Sequence, residues 1–180
     1  MEELGVSRTP IREALRRLEQ ERLIRESGKG SVVLGITSED LIDIMEIRQR
    51  IEGLAAYYAT VNLTPEGMEK LKQISALQEF YGERKDVENL RKMDDEFHDA
   101  VYELSQSTVI RDTLLPLHRK TMRYRKLSIE NSSRLTSSVH EHKEIYNAIT
   151  SRNAELASEL MTKHIKQAKE NMIKRFSENG

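Results

Sequence analysis

Five histidines stand in this chain of 180 residues, at positions 98, 118, 140, 142 and 164, and there is no cysteine. Any metal must therefore be held by imidazole and carboxylate, and disulfides, thiolate zinc fingers and thiol catalysis are excluded. Asp94 and His98 lie four apart on one predicted helix, which puts both on one face and in reach of one ion. His142 and His164 flank Ser151-Arg152-Asn153, where an antiparallel helix pair would turn. One precedes the turn by about ten residues and the other follows it by about eleven, roughly 15 Å along each helix. The two rings are thus expected at the same height. His118 and His140 fit no such pairing, and His140 cannot share a face with His142 at a spacing of two; both are assigned ordinary surface or hydrogen-bonding roles. Spacing alone does not bring Asp94 and His98 level with the other pair, because Pro116 interrupts the pattern between them.

A second chemistry lies near the N-terminal end. Thr9 can cap a helix with Pro10 in its first turn, where a missing N–H is harmless. Ile11, Ala14, Leu15 and Leu18 then form an inward stripe, with Arg8, Arg12 and Arg16 away from it. A guanidinium fork can read guanine O6 and N7, and the hydroxyls of Ser7 and Thr9 can meet phosphate. Leu23-Ile24-Arg25 and Ser31-Val32-Val33 flank Ser27-Gly28-Lys29-Gly30, which predicts a hairpin with a glycine-rich tip.

The elements that must position these residues divide in two. Residues 1–35 contain half of the glycines and the short β-prone tail, whereas the pattern from Thr37 onward is helical. Helices are predicted at about 38–61, 65–82, 86–105, 107–130, 135–150 and 153–176, with Leu41, Ile44, Met45, Arg48, Ile51 and Leu54 on one face of the first. Pro116 is expected to kink or split the fourth. Lys plus Arg (29) nearly cancels Asp plus Glu (30), so any basic patch must be local. No apolar run suits a membrane span and the first residues lack the order of a signal peptide, so a cytoplasmic protein is expected.

The run Leu4-Gly5-Val6-Ser7-Arg8-Thr9-Pro10-Ile11-Arg12-Glu13-Ala14-Leu15-Arg16-Arg17-Leu18-Glu19, with Leu23-Ile24 and Gly28-Lys29-Gly30-Ser31-Val32-Val33, resembles the DNA-binding domain of GntR-family regulators. The resemblance implies that Ser7, Arg8, Thr9 and Arg12 face DNA from the recognition helix and that Gly28 and Lys29 form the wing. Arg16 is a weaker candidate for a phosphate contact. The family pattern expects a first helix and most of a second before Leu4, so the winged helix-turn-helix is partial here. From about Thr37 to Phe176 the chain resembles the all-helical FCD ligand-binding domain of the FadR subfamily. The pieces that carry this are Arg48-Gln49-Arg50-Ile51-Glu52, Asp94-Asp95-Glu96-Phe97-His98, Glu141-His142-Lys143-Glu144-Ile145-Tyr146-Asn147-Ala148-Ile149 and Met161-Thr162-Lys163-His164-Ile165.

The expected architecture is mainly all-α: a partial winged helix-turn-helix over 1–35, then an antiparallel helical bundle over 36–180. In metal-binding FCD domains one Asp and three His are ligands, and these map onto Asp94, His98, His142 and His164. Asp95, one residue on, would point about 100° away. Such a set suits zinc or nickel, with manganese or iron also compatible, and leaves positions for water or a carboxylate. The resemblance implies a small organic acid beside the metal, with Arg48 as partner for its charge. It also implies operator DNA as a partner and a homodimer to bind it. Two other classes compete. A metal-dependent enzyme would activate water, but no general base or nucleophile constellation accompanies the ligands. A stand-alone metal-dependent metabolite-binding protein would use the helical domain without DNA.

Overall fold

A computed structural model of the chain describes residues 8–20, 24–28, 30–33, 37–129 and 132–179. They divide into two compact units, residues 1–37 and 38–180. In the first, α1 (Arg8–Gln20) precedes the antiparallel strands β1 (Ile24–Ser27) and β2 (Gly30–Val33), paired from Ile24 opposite Val33 to Ser27 opposite Gly30. Gly30 has φ 134°, a conformation that suits glycine, and the Ser27 hydroxyl donates to its carbonyl at 3.1 Å. The stripe on α1 is not enclosed as expected. Leu15 and Leu18 remain 38% and 37% exposed, because the one helix and two-stranded ribbon among the described residues of this unit have too little apolar surface to close over it.

The second unit holds α2 (Ser38–Val61), α3 (Pro65–Glu83), α4 (Val87–Leu104), α5 (Thr108–Ile129), α6 (Ser132–Thr150) and α7 (Ala154–Asn179). Local chemistry explains the joints. The Thr64 hydroxyl caps α3 by accepting from Gly67 N–H at 3.1 Å, with Pro65 in the first turn. Asp86 caps α4 through Asn89 N–H at 3.1 Å. Lys85 and Arg152 adopt φ 54° and 59° at the ends of α3 and α6. At both ends the next N–H reaches back five residues, Asp86 to Tyr81 and Asn153 to Ala148, each at 3.0 Å, which satisfies carbonyls that the helix leaves open.

Helix α2 packs on α7, α4 and α5, while α3 packs on α4 and α6, and α6 on α7. The α2–α7 crossing is close at Gly53, where a methyl group would collide with the Thr162 hydroxyl and lie 3.0 Å from the Ser158 carbonyl. This approach brings the Arg48–Glu52 stretch of α2 beside the His164 turn of α7. The apolar face of α2 differs from the expectation at its far end: Leu54 is 45% exposed, and Glu52, Ala55, Ala56 and Ala59 are buried instead. At 100° per residue Leu54 stands about 140° round the helix from Leu41. Pro116 does not split α5, which runs through it. The carbonyl four residues back belongs to exposed Asp112 and can turn to water. No helix among the described residues is long and apolar enough to cross a membrane.

Candidate metal centre

Three helices supply a converging set of donors. Asp94 and His98 come from one face of α4, His142 from α6 and His164 from α7, and all four are buried. Each offers one ligand atom, and these atoms all lie within 4.8 Å of one another. The expected level placement of His142 and His164 is observed, with their Nε2 atoms 3.2 Å apart. Asp94 Oδ1 lies 3.5 Å from His142 Nε2 and accepts from the Ser138 hydroxyl at 3.5 Å. Phe97 stacks on the His142 ring at 4.5 Å and walls the centre on that side.

Carboxylates and an amide orient the three rings from behind. Because a carboxylate only accepts, His98 donates from Nδ1 to Glu52 at 2.8 Å and His164 donates from Nδ1 to Glu141 at 2.6 Å. Arg134 holds the other Glu141 oxygen. Gln78 on α3 meets His142 Nδ1 at 2.8 Å. His98 Nε2 is buried and has no hydrogen-bond partner. An unsatisfied imidazole nitrogen in the interior is costly, and one aimed among three further donors fits a cation of the transition series.

A second buried group abuts this one through Glu52. Arg48, 1% exposed, donates from Nε to Glu52 at 2.6 Å and from a terminal nitrogen to the Thr121 hydroxyl at 2.8 Å. Its other terminal nitrogen lies 3.0 Å from His118 Nδ1. Since a guanidinium only donates, His118 Nδ1 accepts, and its Nε2 proton goes to Asp95 at 3.0 Å. Burial alone would push the Glu52 carboxyl up, but Arg48 and His98 hold it well below the usual carboxylate range. Burial presses His118 down to about 4, against the hydrogen bond to Asp95 that favours its charged form. Glu52, His98 and His118 also satisfy the spacing of a metal group. The Arg48 charge within hydrogen-bond distance of two of them argues against a cation there.

Glu52, Glu141, His118 and Gln78 were not among the expected site residues. Glu52 carried a signal, since it stands four residues after Arg48 on one helix face. Glu141 precedes a candidate ligand, but nothing in the sequence marks Gln78. His140 is a surface residue, 3.5 Å from Glu144. A cleft of about 780 Å³ between α6 and α7 is lined in part by His140, Glu141, Glu144, Lys163 and His164, so of the four donors His164 borders it. Of the expected DNA-facing residues, Thr9 and Arg12 are exposed on the first turns of α1, and Gly28 is exposed at the hairpin tip. Ser7, Lys29 and the side chain of Arg8 lie outside the described residues.

Comparison with known proteins agrees with the resemblance read from the sequence. Residues 43–167 match the FCD domain, and residues 1–33 match the bacterial regulatory proteins of the gntR family. The chain is 28% identical to the HTH-type transcriptional repressor RspR of Escherichia coli over 177 residues, 98% of this chain and 78% of the relative. It is 29% identical to the Uxu operon regulator of Haemophilus influenzae, over 93% of this chain and 69% of that protein. Among solved structures, E. coli McbR/YncC aligns with a TM-score of 0.78 at 20% identity, over 96% of this chain and 87% of that one.

Proposed function

The chain belongs to the GntR family of bacterial regulatory proteins with an FCD domain, and we propose that its operator affinity is set by a small carboxylic acid bound at a metal-containing helical domain. DNA-binding transcription regulation, rather than enzyme activity, is what the family and its relatives have in common. The metal and the acid are our reading. The observation that carries it is the buried quartet of Asp94, His98, His142 and His164, with His98 Nε2 unsatisfied among the other donors. Those four residues would hold one zinc or nickel ion, with manganese or iron as alternatives. Bound there, the ion would supply a Lewis-acidic position for a carboxylate oxygen.

Arg48 is our candidate for the acid's charge. Its guanidinium is already engaged by Glu52, Thr121, His118 and the Met45 sulfur, so an acid that reaches it competes with these partners and can take the place of Thr121 or His118 on α5. Such an exchange would repack α2 against α5, and an effector shifts an equilibrium only through differential contacts of this kind. In this reading residues 1–35 are the winged helix-turn-helix and 36–180 the metal- and effector-binding domain. Ser7, Arg8, Thr9 and Arg12 face the major groove, and Gly28 and Lys29 approach the backbone from the wing. The active species is a cytoplasmic homodimer on a twofold operator.

The test is operator binding by fluorescence anisotropy, on fragments selected from genomic DNA, with metal-loaded and chelated protein and a panel of small mono- and dicarboxylates. At least one acid should change the affinity about fivefold or more in the loaded protein and leave the chelated protein unaffected. If every acid acts equally on both forms, the metal-linked mechanism is wrong.

A further inference from the structure

The three imidazoles of the quartet are not prepared alike. His98 and His164 each carry a proton on Nδ1, fixed by Glu52 and Glu141, so the Nε2 lone pair of each faces the quartet. His142 is set the other way. The carbonyl of Met93 only accepts, so the Gln78 atom 3.2 Å from it is the amide nitrogen. That same nitrogen lies 2.8 Å from His142 Nδ1, which therefore accepts, and the proton of neutral His142 sits on Nε2. With that proton, Nε2 can donate toward His164 Nε2 at 3.2 Å, with Asp94 Oδ1 at 3.5 Å. Hydrogen bonds thus run donor to acceptor from Gln78 through His142 and His164 to Glu141. The proton in the middle occupies the nitrogen that a metal would use.

We propose that Gln78 is a positioning residue that latches the metal-free centre, holding His142 in the tautomer that cannot ligate through Nε2. This rests on the metal reading above. When the centre loads, the N–H bond at Nε2 breaks and one forms at Nδ1, with solvent water carrying the proton and His142 neutral before and after. The Gln78 amide must then offer His142 its carbonyl oxygen, and its nitrogen must release the Met93 carbonyl. Gln78 is buried on α3, the helix that packs on α4 and α6 and contributes no ligand to the quartet. Metal occupancy is in this way transmitted beyond the three ligand helices by one rotating amide.

Nitrogen-15 NMR of the histidine rings tests this, since protonated and bare ring nitrogens have well separated shifts. Metal-free wild type should show the His142 proton on Nε2. One equivalent of zinc should move it to Nδ1 and shift the Gln78 side-chain amide. In Gln78→Glu, a carboxylate that only accepts should place the proton on Nδ1 before metal is added and raise zinc affinity about tenfold. A proton already on Nδ1 in metal-free wild type overturns the inference and leaves the metal reading standing. Unchanged or weaker zinc binding in a folded Gln78→Glu protein also overturns it. If that variant does not fold, the wild-type spectrum decides alone. Failure of wild type to take up zinc overturns the metal reading and this inference with it.

Discussion

His118 and His142 are equally buried, at 1% exposure each, yet their rings are used in opposite ways. Both nitrogens of His118 are committed, one to the Arg48 guanidinium and one to the Asp95 carboxylate. Around His142 the neighbours are other imidazoles, Asp94 and a neutral amide, so a cation would meet neutral rings and a carboxylate there instead of a guanidinium. Burial therefore does not make a histidine a metal ligand. What separates the two groups is whether a fixed positive charge has already taken the acceptors, and Glu52 stands on the border, sharing one oxygen with each group.

Arg48 is the residue whose loss should disturb these two groups most. Arg48→Ala leaves the Glu52 carboxylate buried with half its partners, and breaking a buried ion pair destabilises by about 3–5 kcal/mol. Urea unfolding of the metal-free protein should show that loss. His142→Ala should then lower zinc affinity at least about 100-fold, more than loss of a supporting residue behind a ligand. His118→Ala should lower it far less, and competition titration against a chromophoric chelator measures both.

A smaller effect should appear with pH. His118 titrates at 6.5 in ordinary surroundings and at about 4 in the fold. Between those values the unfolded chain binds a proton that the folded chain refuses. The His118 contribution to stability is therefore complete above 6.5 and falls as the pH drops toward 4, by about 2 kcal/mol from pH 7 to pH 5. The same experiment on His118→Gln should flatten that slope. His140→Ala should change stability by less than about 0.5 kcal/mol, as expected for a surface residue.

Much of this was legible in the sequence. The turn at 151–153 marks where one helix ends and the next begins, and equal distances from that turn brought His142 and His164 together. Helical spacing also put Asp94 beside His98. The relation between those pairs was not legible, because it depends on how α4 packs against α6 and α7 across a helix that passes through a proline. The stripe on α2 misled at Leu54, since apolar character alone overrode an angle that places it opposite the core. Gln78 and His118 were illegible for another reason: a buried glutamine or histidine gains its meaning from partners 64 and 70 residues away, and no local pattern records them.

The ion itself is the proposed link between effector and operator. Elemental analysis of the protein purified without added metal, followed by exposure to zinc and nickel, measures it directly. We expect about one divalent ion per chain in wild type and in His118→Ala, the stoichiometry of a single site with four protein ligands, and far less in His142→Ala. Wild-type protein that is metal-free as purified and takes up neither zinc nor nickel would contradict the metal centre, and with it the proposed route from effector to operator.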